Sequence, residues 1–180
     1  MGVVSTPVDP TAFRGALSRF ASGVTVISTV VDGVDHAMTA SAFTSVSLDP
    51  PLVLVCVDQR NRFHEAVTQA RVWGVSILAE EGRDDSAWFA HRGRELDTQF
   101  EEVKHHRGST GVVLLDASLA WLECETAETT VTGDHTILFG RVVDARVNEG
   151  PDDPLLYYRS HYGTIVRSSE SEKSVYGGPQ

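Results

Sequence analysis

The sequence predicts a mainly β fold: an antiparallel barrel with a few helices packed outside it. Three observations carry that prediction. Strand-like runs outnumber helix-like ones along the chain. They are not separated by the regular helical crossovers that a parallel α/β sheet requires. And β-branched runs are closed by turn residues, as where Asp32-Gly33 follows Val24 to Val31, a hairpin signal. At 180 residues the chain is long enough for one domain with a substantial core.

The elements follow in order. Residues 1 to 8 read as a frayed tail. Asp9-Pro10 opens a helix, with Asp as N-cap and Pro at the first helical position. Phe13, Leu17 and Phe20 form one apolar stripe, and Ser22-Gly23 stops the helix. Val24 to Val31 is strand-like. After the Asp32-Gly33 turn, Val34 leads into a stretch in which seven of the ten residues from Met38 to Ser47 are Ala, Ser or Thr. Asp49-Pro50-Pro51 ends that strand, because neither proline can donate to a ladder. Leu52 to Val57 is almost continuously apolar, which predicts a strand buried on both faces. Phe63, Ala66, Val67 and Ala70 mark a short helix, and Val72 to Ala79 another strand. Glu80 to Asp85 reads as a loop, with Asp84 or Asp85 capping a helix that runs through His91 and is anchored by Trp88 and Phe89. Arg92 to Gly111 is polar and predicts a loop with room for a helical turn.

The last third reads as strand throughout. From Leu119 to Thr126, Ala120, Leu122 and Cys124 share one face and Trp121, Glu123 and Glu125 the other. Ala127 to Thr132 leads to a turn at Gly133-Asp134, and His135 to Val147 forms a long strand that bends at Gly140. Asn148 to Pro154 is a loop, with short pairing segments at Leu155 to Tyr158 and Gly163 to Val166. Residues 167 to 180 are rich in Ser, Glu and Gly and predict disorder. A single domain therefore spans residues 9 to 166.

Composition removes several classes of function. Apolar residues make up 41% and charged residues 22%, as in ordinary globular proteins. The formal charge is −10 with no cluster of Lys and Arg, which argues against a nucleic-acid partner and an anionic membrane partner. No apolar run has transmembrane length, and the N-terminus has no signal-peptide pattern. Two cysteines, Cys56 and Cys124, lie in apolar strand-like runs and read as reduced thiols of a cytoplasmic protein. There is no G-x-G-x-x-G after a strand, P-loop, H-E-x-x-H, C-x-x-C or G-x-S-x-G. The seven histidines have no metal-ligand spacing, and His105-His106 reads as solvated surface. No metal site is expected.

Two stretches remain with chemistry in them. Small residues from Thr39 to Ser47 leave backbone N–H groups and hydroxyls accessible, which suits an oxygen-rich ligand. Cys56-Val57-Asp58 and Asn61-Arg62-Phe63 place a strand end, a polar turn and a helix start together, which suits a phosphate. Arg62, His91 and Arg94 can add charge-assisted hydrogen bonds.

Read together, Met38-Thr-Ala-Ser-Ala-Phe-Thr-Ser-Val-Ser-Leu-Asp-Pro-Pro-Leu-Val-Leu-Val-Cys-Val57, Gly133-Asp-His-Thr-Ile137 and Tyr157-Tyr-Arg-Ser-His-Tyr-Gly163 resemble the flavin reductase-like family. These are the small reductase components of two-component flavin monooxygenases. The resemblance runs from about Asp9 to about Val166. It implies an FMN-binding split β-barrel of antiparallel Greek-key type, usually a homodimer. The implied activity is NAD(P)H-dependent reduction of FMN or FAD, with reduced flavin passed to a partner monooxygenase. Thr39, Ala40, Ser41, Ala42, Ser45, Val46 and Ser47 would line the flavin ring and ribityl chain. Cys56, Val57, Asp58, Asn61, Arg62, Phe63, His91 and Arg94 would form the phosphate wall. His135 would lie where the nicotinamide docks, as the candidate catalytic residue, with Arg159 and Tyr162 on the same face. Two readings from other classes stand beside this one: a flavin-binding electron-relay module without nicotinamide turnover, and a flavoenzyme with its own organic substrate.

Three departures from the family pattern stand out. Ala37 replaces a common Gly, with an added methyl expected to restrict a chain turn. Ser76 replaces a common Asn. Gly111-Val-Val-Leu replaces Gly-x-Pro-x-Leu, in a loop expected near the flavin or the dimer rim.

Overall fold

The computed structural model describes residues 7–167. Tail residues 1–6 and 168–180, expected to be disordered, lie outside the described residues. Helix α1 (Pro10–Leu17) precedes β1 (Ser22–Gly23), β2 (Thr25–Val31), β3 (Val34–Ala40), β4 (Phe43–Leu48) and β5 (Pro51–Asp58). Helix α2 (Arg62–Gln69), β6 (Val72–Leu78) and α3 (Arg83–Ala90) follow. The chain then forms β7 (His105–Arg107), β8 (Val113–Leu115), β9 (Ser118–Thr132), β10 (His135–Val147), β11 (Leu156–Tyr158) and β12 (His161–Gly163).

Seven strands form one antiparallel sheet in the order β3-β2-β6-β9-β10-β5-β4. Its two edges, β3 and β4, are consecutive in the chain and joined only by Ser41 and Ala42. So short a link spans only about 10 Å. The sheet therefore rolls until its edges nearly meet, and Ser41-Ala42 bridges the remaining seam. This is the barrel that the strand count predicts, split rather than closed. The small-residue stretch, read above as one strand, is two strands with the seam between them.

Turn chemistry fixes the register. Asp32 and Gly33 both take positive φ, 51° and 79°, as a two-residue hairpin turn requires. Gly133, at φ 62°, turns β9 into β10. The bend expected at Gly140 is a register shift beside that residue. A Cβ on Gly140 would sit 2.3 Å from the Trp73 ring, so only glycine lets this fully buried indole lie across β10.

The core has two parts. One fills the barrel with Ile27, Val53, Val55, Val57, Phe63, Val67, Trp73 and Leu138. The other lies under α3 and the β7–β8 hairpin, built on Val24, Val26, Leu78, Phe89 and Leu115. Strand β5 alternates: Val53, Val55 and Val57 are buried, while Leu52, Leu54 and Cys56 are only half-buried. It is thus not buried on both faces, because the second face forms the wall of a cleft.

Four further expectations change. Asp9 caps α1 as predicted, accepting from the Ala12 N–H at 2.9 Å, but no residue of α1 is buried. Phe13, Leu17 and Phe20 are 55%, 56% and 77% exposed, so the stripe faces outward. Neither Asp84 nor Asp85 caps α3; a single turn, Glu80–Gly82, leads directly into it, with Gly82 at the cap. Phe89 anchors that helix in the core, whereas Trp88 is 41% exposed. Within the supposed loop, His105–Arg107 pairs with Val113–Leu115, and the Ser109-Thr110 turn between them is held from β9. Glu123, 1% exposed, accepts the backbone N–H and hydroxyl of both Ser109 and Thr110.

The departures from the family pattern also find their places. Ala37 is buried mid-strand in β3, not at a turn, and costs nothing in φ. The Ser76 hydroxyl accepts the Leu115 N–H at 2.9 Å, joining β8 to β6. Gly111 takes φ 87° in the turn before β8, the strand that packs on β2 and β6, and lines none of the cavities described next. No helix among the described residues is long and apolar enough to cross a membrane.

Candidate functional site

Beside the seam lies a cleft of three adjoining parts that share lining residues. The widest is a groove of about 470 Å³ on the outer face of β4 and β5. Ser41, Ala42, Thr44, Leu54 and Cys56 form one side; Leu17, Phe20, Tyr157, Arg159 and Ser160 form the other. Ser41 and Tyr157 also line a smaller space, the throat, of about 140 Å³ beside Thr39, Ala90 and Tyr162. Ala90 also borders a hollow of about 350 Å³ carrying Arg60, Asn61, Arg62, His91, Arg92 and Arg94.

The hollow is strongly cationic in a chain of net charge −10. No carboxylate lines it. Arg60 is matched by Asp58 at 3.1 Å, and its hydrogen bonds hold the Asp58 carboxyl down to about 2. Among the described residues, Arg62, Arg92 and Arg94 form no ion pair. Arg94 is 7% exposed. Its guanidinium donates to the carbonyls of Trp88, His91 and Ala37 and lies 5.3 Å over the Phe89 ring. Its Nε has no partner. Burial first, and Arg62 second, lower the Arg94 pKa to about 10. Arg62 donates to the Arg94 carbonyl, and burial followed by Arg62 also holds the His36 imidazole below its usual value. Two guanidiniums brought together without a carboxylate fit a phosphate. Arg94 spends most of its donors closing the end of α3, so Arg62 is the better-placed contact. The Asn61 side chain caps α2 by accepting from Phe63 N–H at 3.0 Å, which directs that helix start at the same hollow.

The sequence-derived residues divide accordingly. Thr39, Ser41, Ala42, Cys56, Asn61, Arg62, His91, Arg94, Arg159 and Tyr162 border the connected cleft. The side chains of Ala40, Val57 and Phe63 are turned into the core, because pleat and helix periodicity alternate inward and outward positions; only their backbone is left for a ligand. Asp58 is engaged by Arg60. Ser45, Val46 and Ser47 lie further along β4 around a bulge, outside the three cavities. Burial pushes up the Cys56 thiol; both cysteines are free.

His135 borders none of the three cavities, yet strand register places it on the groove's face. It pairs with Asp58, as Ile137 pairs with Cys56 and Phe139 with Leu54, and directly opposed residues project to the same side. Its Nδ1 lies 2.7 Å from Asp134 Oδ1, and that bond holds the Asp134 carboxyl below its usual range. The ionised Asp134 can only accept, so Nδ1 donates to it, and Nε2 is an acceptor whenever the ring is uncharged.

Sequence reasoning missed Leu17, Phe20, Thr44, Leu54 and Tyr157 on the groove and Ala90 and Arg92 beyond it. Thr44 lay within the small-residue stretch. Leu17 and Phe20 were visible as an apolar stripe whose direction no local pattern reveals.

A split antiparallel barrel with a largely apolar groove beside a cationic hollow suits a ligand that joins a flat ring to a phosphate. The flavin reductase like domain matches residues 17–166, and the chain belongs to that family. It is 37% identical over 163 residues to the reductase component of 4-nitrophenol 4-monooxygenase/4-nitrocatechol 2-monooxygenase from Rhodococcus opacus, covering 91% of this chain and 85% of that one. It is also 37% identical over 161 residues to an NADH-dependent flavin reductase of Pseudomonas fluorescens, covering 88% and 92%. Among solved structures, the flavin reductase component of a bacterial two-component tryptophan halogenase superimposes with TM-score 0.82 at 38% identity, covering 89% of this chain and all, 100%, of that one. The NADH:FAD oxidoreductase of Streptomyces globisporus C-1027, in complex with NAD and FAD fragments, gives 0.83 at 30% identity, covering 92% and 100%.

Proposed function

We infer that this protein is a nicotinamide-dependent flavin reductase that supplies reduced flavin to a partner monooxygenase. The observation that carries the reading is the cleft itself: a ring-sized groove, a narrow throat and a cationic hollow, in the order of a flavin's ring, chain and phosphate. Bound FMN or FAD would supply the acceptor for the hydride that the nicotinamide gives up.

The protein's own work is placement. Ser41 and Ala42 are small enough for a flat ring to approach the seam backbone. Leu54 and Cys56 on one wall and Phe20 on the other would keep water from it, and Arg62 with the α2 start would hold the phosphate. His135 offers Nε2 to the carboxamide N–H of the nicotinamide, with Asp134 fixing the ring and its proton. Arg159 flanks the groove and stabilises the approach of an anionic dinucleotide. No side chain has to act as nucleophile, because aligned rings at reacting distance suffice. NADH as the donor agrees with the names of the relatives, and a cytoplasmic setting suits an enzyme with two free thiols.

The reading includes a homodimer. The α1 stripe and the β4 edge, with Leu48 93% exposed, leave an apolar surface that a second copy would cover. Steady-state NADH oxidation by the purified protein, with and without added FMN or FAD, tests the assignment. Turnover that rises with free flavin is expected. Flavin binding without NADH oxidation would leave the electron-relay reading in its place.

A further inference from the structure

Ser86 sits on α3, fully buried at 0% exposure, and serves two sides of the cleft at once. Its carbonyl accepts the Thr39 hydroxyl at 2.6 Å. Its own hydroxyl lies 2.8 Å from the Tyr162 hydroxyl. Tyr162 in turn sets its ring against Tyr157, centroids 5.5 Å apart and 61° tilted. Thr39, Tyr157 and Tyr162 are walls of the throat. One buried serine thus spans the narrowest part of the cleft from behind, joining β3 on one side to the β11–β12 hairpin on the other.

We propose that Ser86 is a positioning residue that sets the width of the throat for the flavin's ribityl chain. The inference rests on the flavin reading above. A throat of about 140 Å³ admits an extended polyol and not a fused three-ring system, so the chain threads it while the ring stays in the groove. Loss of the Ser86 hydroxyl leaves the Tyr162 hydroxyl without its buried partner. Tyr162 then turns towards water, and the chain loses its fit. The ring and phosphate positions lie outside the throat and keep their contacts.

The test uses three ligands on the full-length protein, titrated by fluorescence: lumiflavin, which has a methyl in place of the chain, riboflavin, and FMN. In Ser86→Ala, the Kd for riboflavin and FMN should rise about tenfold, the scale of one lost buried hydrogen bond. The lumiflavin Kd should stay within about twofold. Tyr162→Phe, which removes the same bond from its other end, should do the same. The double variant should bind no worse than either single one, because both remove one interaction. Equal weakening of lumiflavin, or unchanged riboflavin affinity in a folded variant, would overturn the proposal. If the unmodified protein bound none of the three, the flavin reading would fail first; if it bound all three and the variants matched it, only the role of Ser86 would fall.

Discussion

The Cys56 backbone N–H donates to the Ala42 carbonyl at 3.0 Å, pinning the seam between the sheet's edges to the strand that floors the groove. Bulk added at Ser41 or Ala42 therefore intrudes on the groove that both residues line.

Ser41→Leu should abolish flavin binding while the protein stays folded, since Ser41 borders both groove and throat and is exposed. Flavin titration beside a thermal melt checks this. A folded variant with unchanged affinity would remove the seam from the site.

Arg62→Gln should weaken FMN binding about ten- to a hundredfold, as expected on losing a charge-assisted contact, and leave riboflavin nearly unaffected. The loss should shrink at high salt. Parallel titrations at two ionic strengths measure it; equal effects on both flavins would place the phosphate elsewhere.

His135→Ala should lower kcat/KM for the nicotinamide about ten- to a hundredfold, or roughly 1.4 to 2.7 kcal/mol, mostly through KM. Flavin affinity should stay within a few-fold. Rapid-mixing reduction of the flavin separates binding from hydride transfer. Lower stability with normal turnover in the folded fraction would make His135 a structural residue.

Much of this was legible in the chain. Asp9-Pro10, Asp32-Gly33 and the β-branched runs specify their elements locally, and the cleft's seam and hollow coincide with the stretches singled out by residue type. What stayed hidden depends on tertiary placement. Leu17 and Phe20 follow the helical period whichever side they face. Val113–Leu115 is too short to announce a strand, and Tyr157 and Ala90 acquire a role only when the last hairpin folds back on α3. Glu123 reads as a surface carboxylate until the Ser109-Thr110 turn closes over it.

That turn makes stability acid-sensitive. Burial works to raise the Glu123 pKa, but the hydrogen bonds from Thr110 and Ser109 outweigh it and hold the folded-state value below the usual one. A depressed carboxylate contributes its full stability above the unfolded pKa of about 4.3 and loses it as pH falls through the folded value. Glu123→Ala should cost about 2 to 3 kcal/mol at pH 7, because four donors of the turn lose their shared acceptor. Its melting temperature should depend less on pH below about 4.3 than that of the unmodified protein. Thermal melts of both across pH 3 to pH 7 check this; parallel pH curves would mean another group controls acid unfolding.

Phe13→Asp should convert the proposed dimer to monomer at micromolar concentration, by placing a charge on the α1 stripe outside the groove. Light scattering reads the mass directly. A variant that stayed dimeric would move the interface off α1.

The strand order has a consequence for synthesis. Strands β2 and β5 emerge early from the ribosome, yet their inner neighbours, β6 and β10, come later, and β9, which joins these two at the sheet's centre, later than β6. Until then Val24 to Val31 and Leu52 to Val57 are each paired on one side only, with β3 and β4, and present an apolar open edge that is prone to pair with other chains. Folding must wait for pairings distant in sequence. Yield in a heterologous host should therefore depend more on chaperones and slow translation than the modest size of the domain suggests.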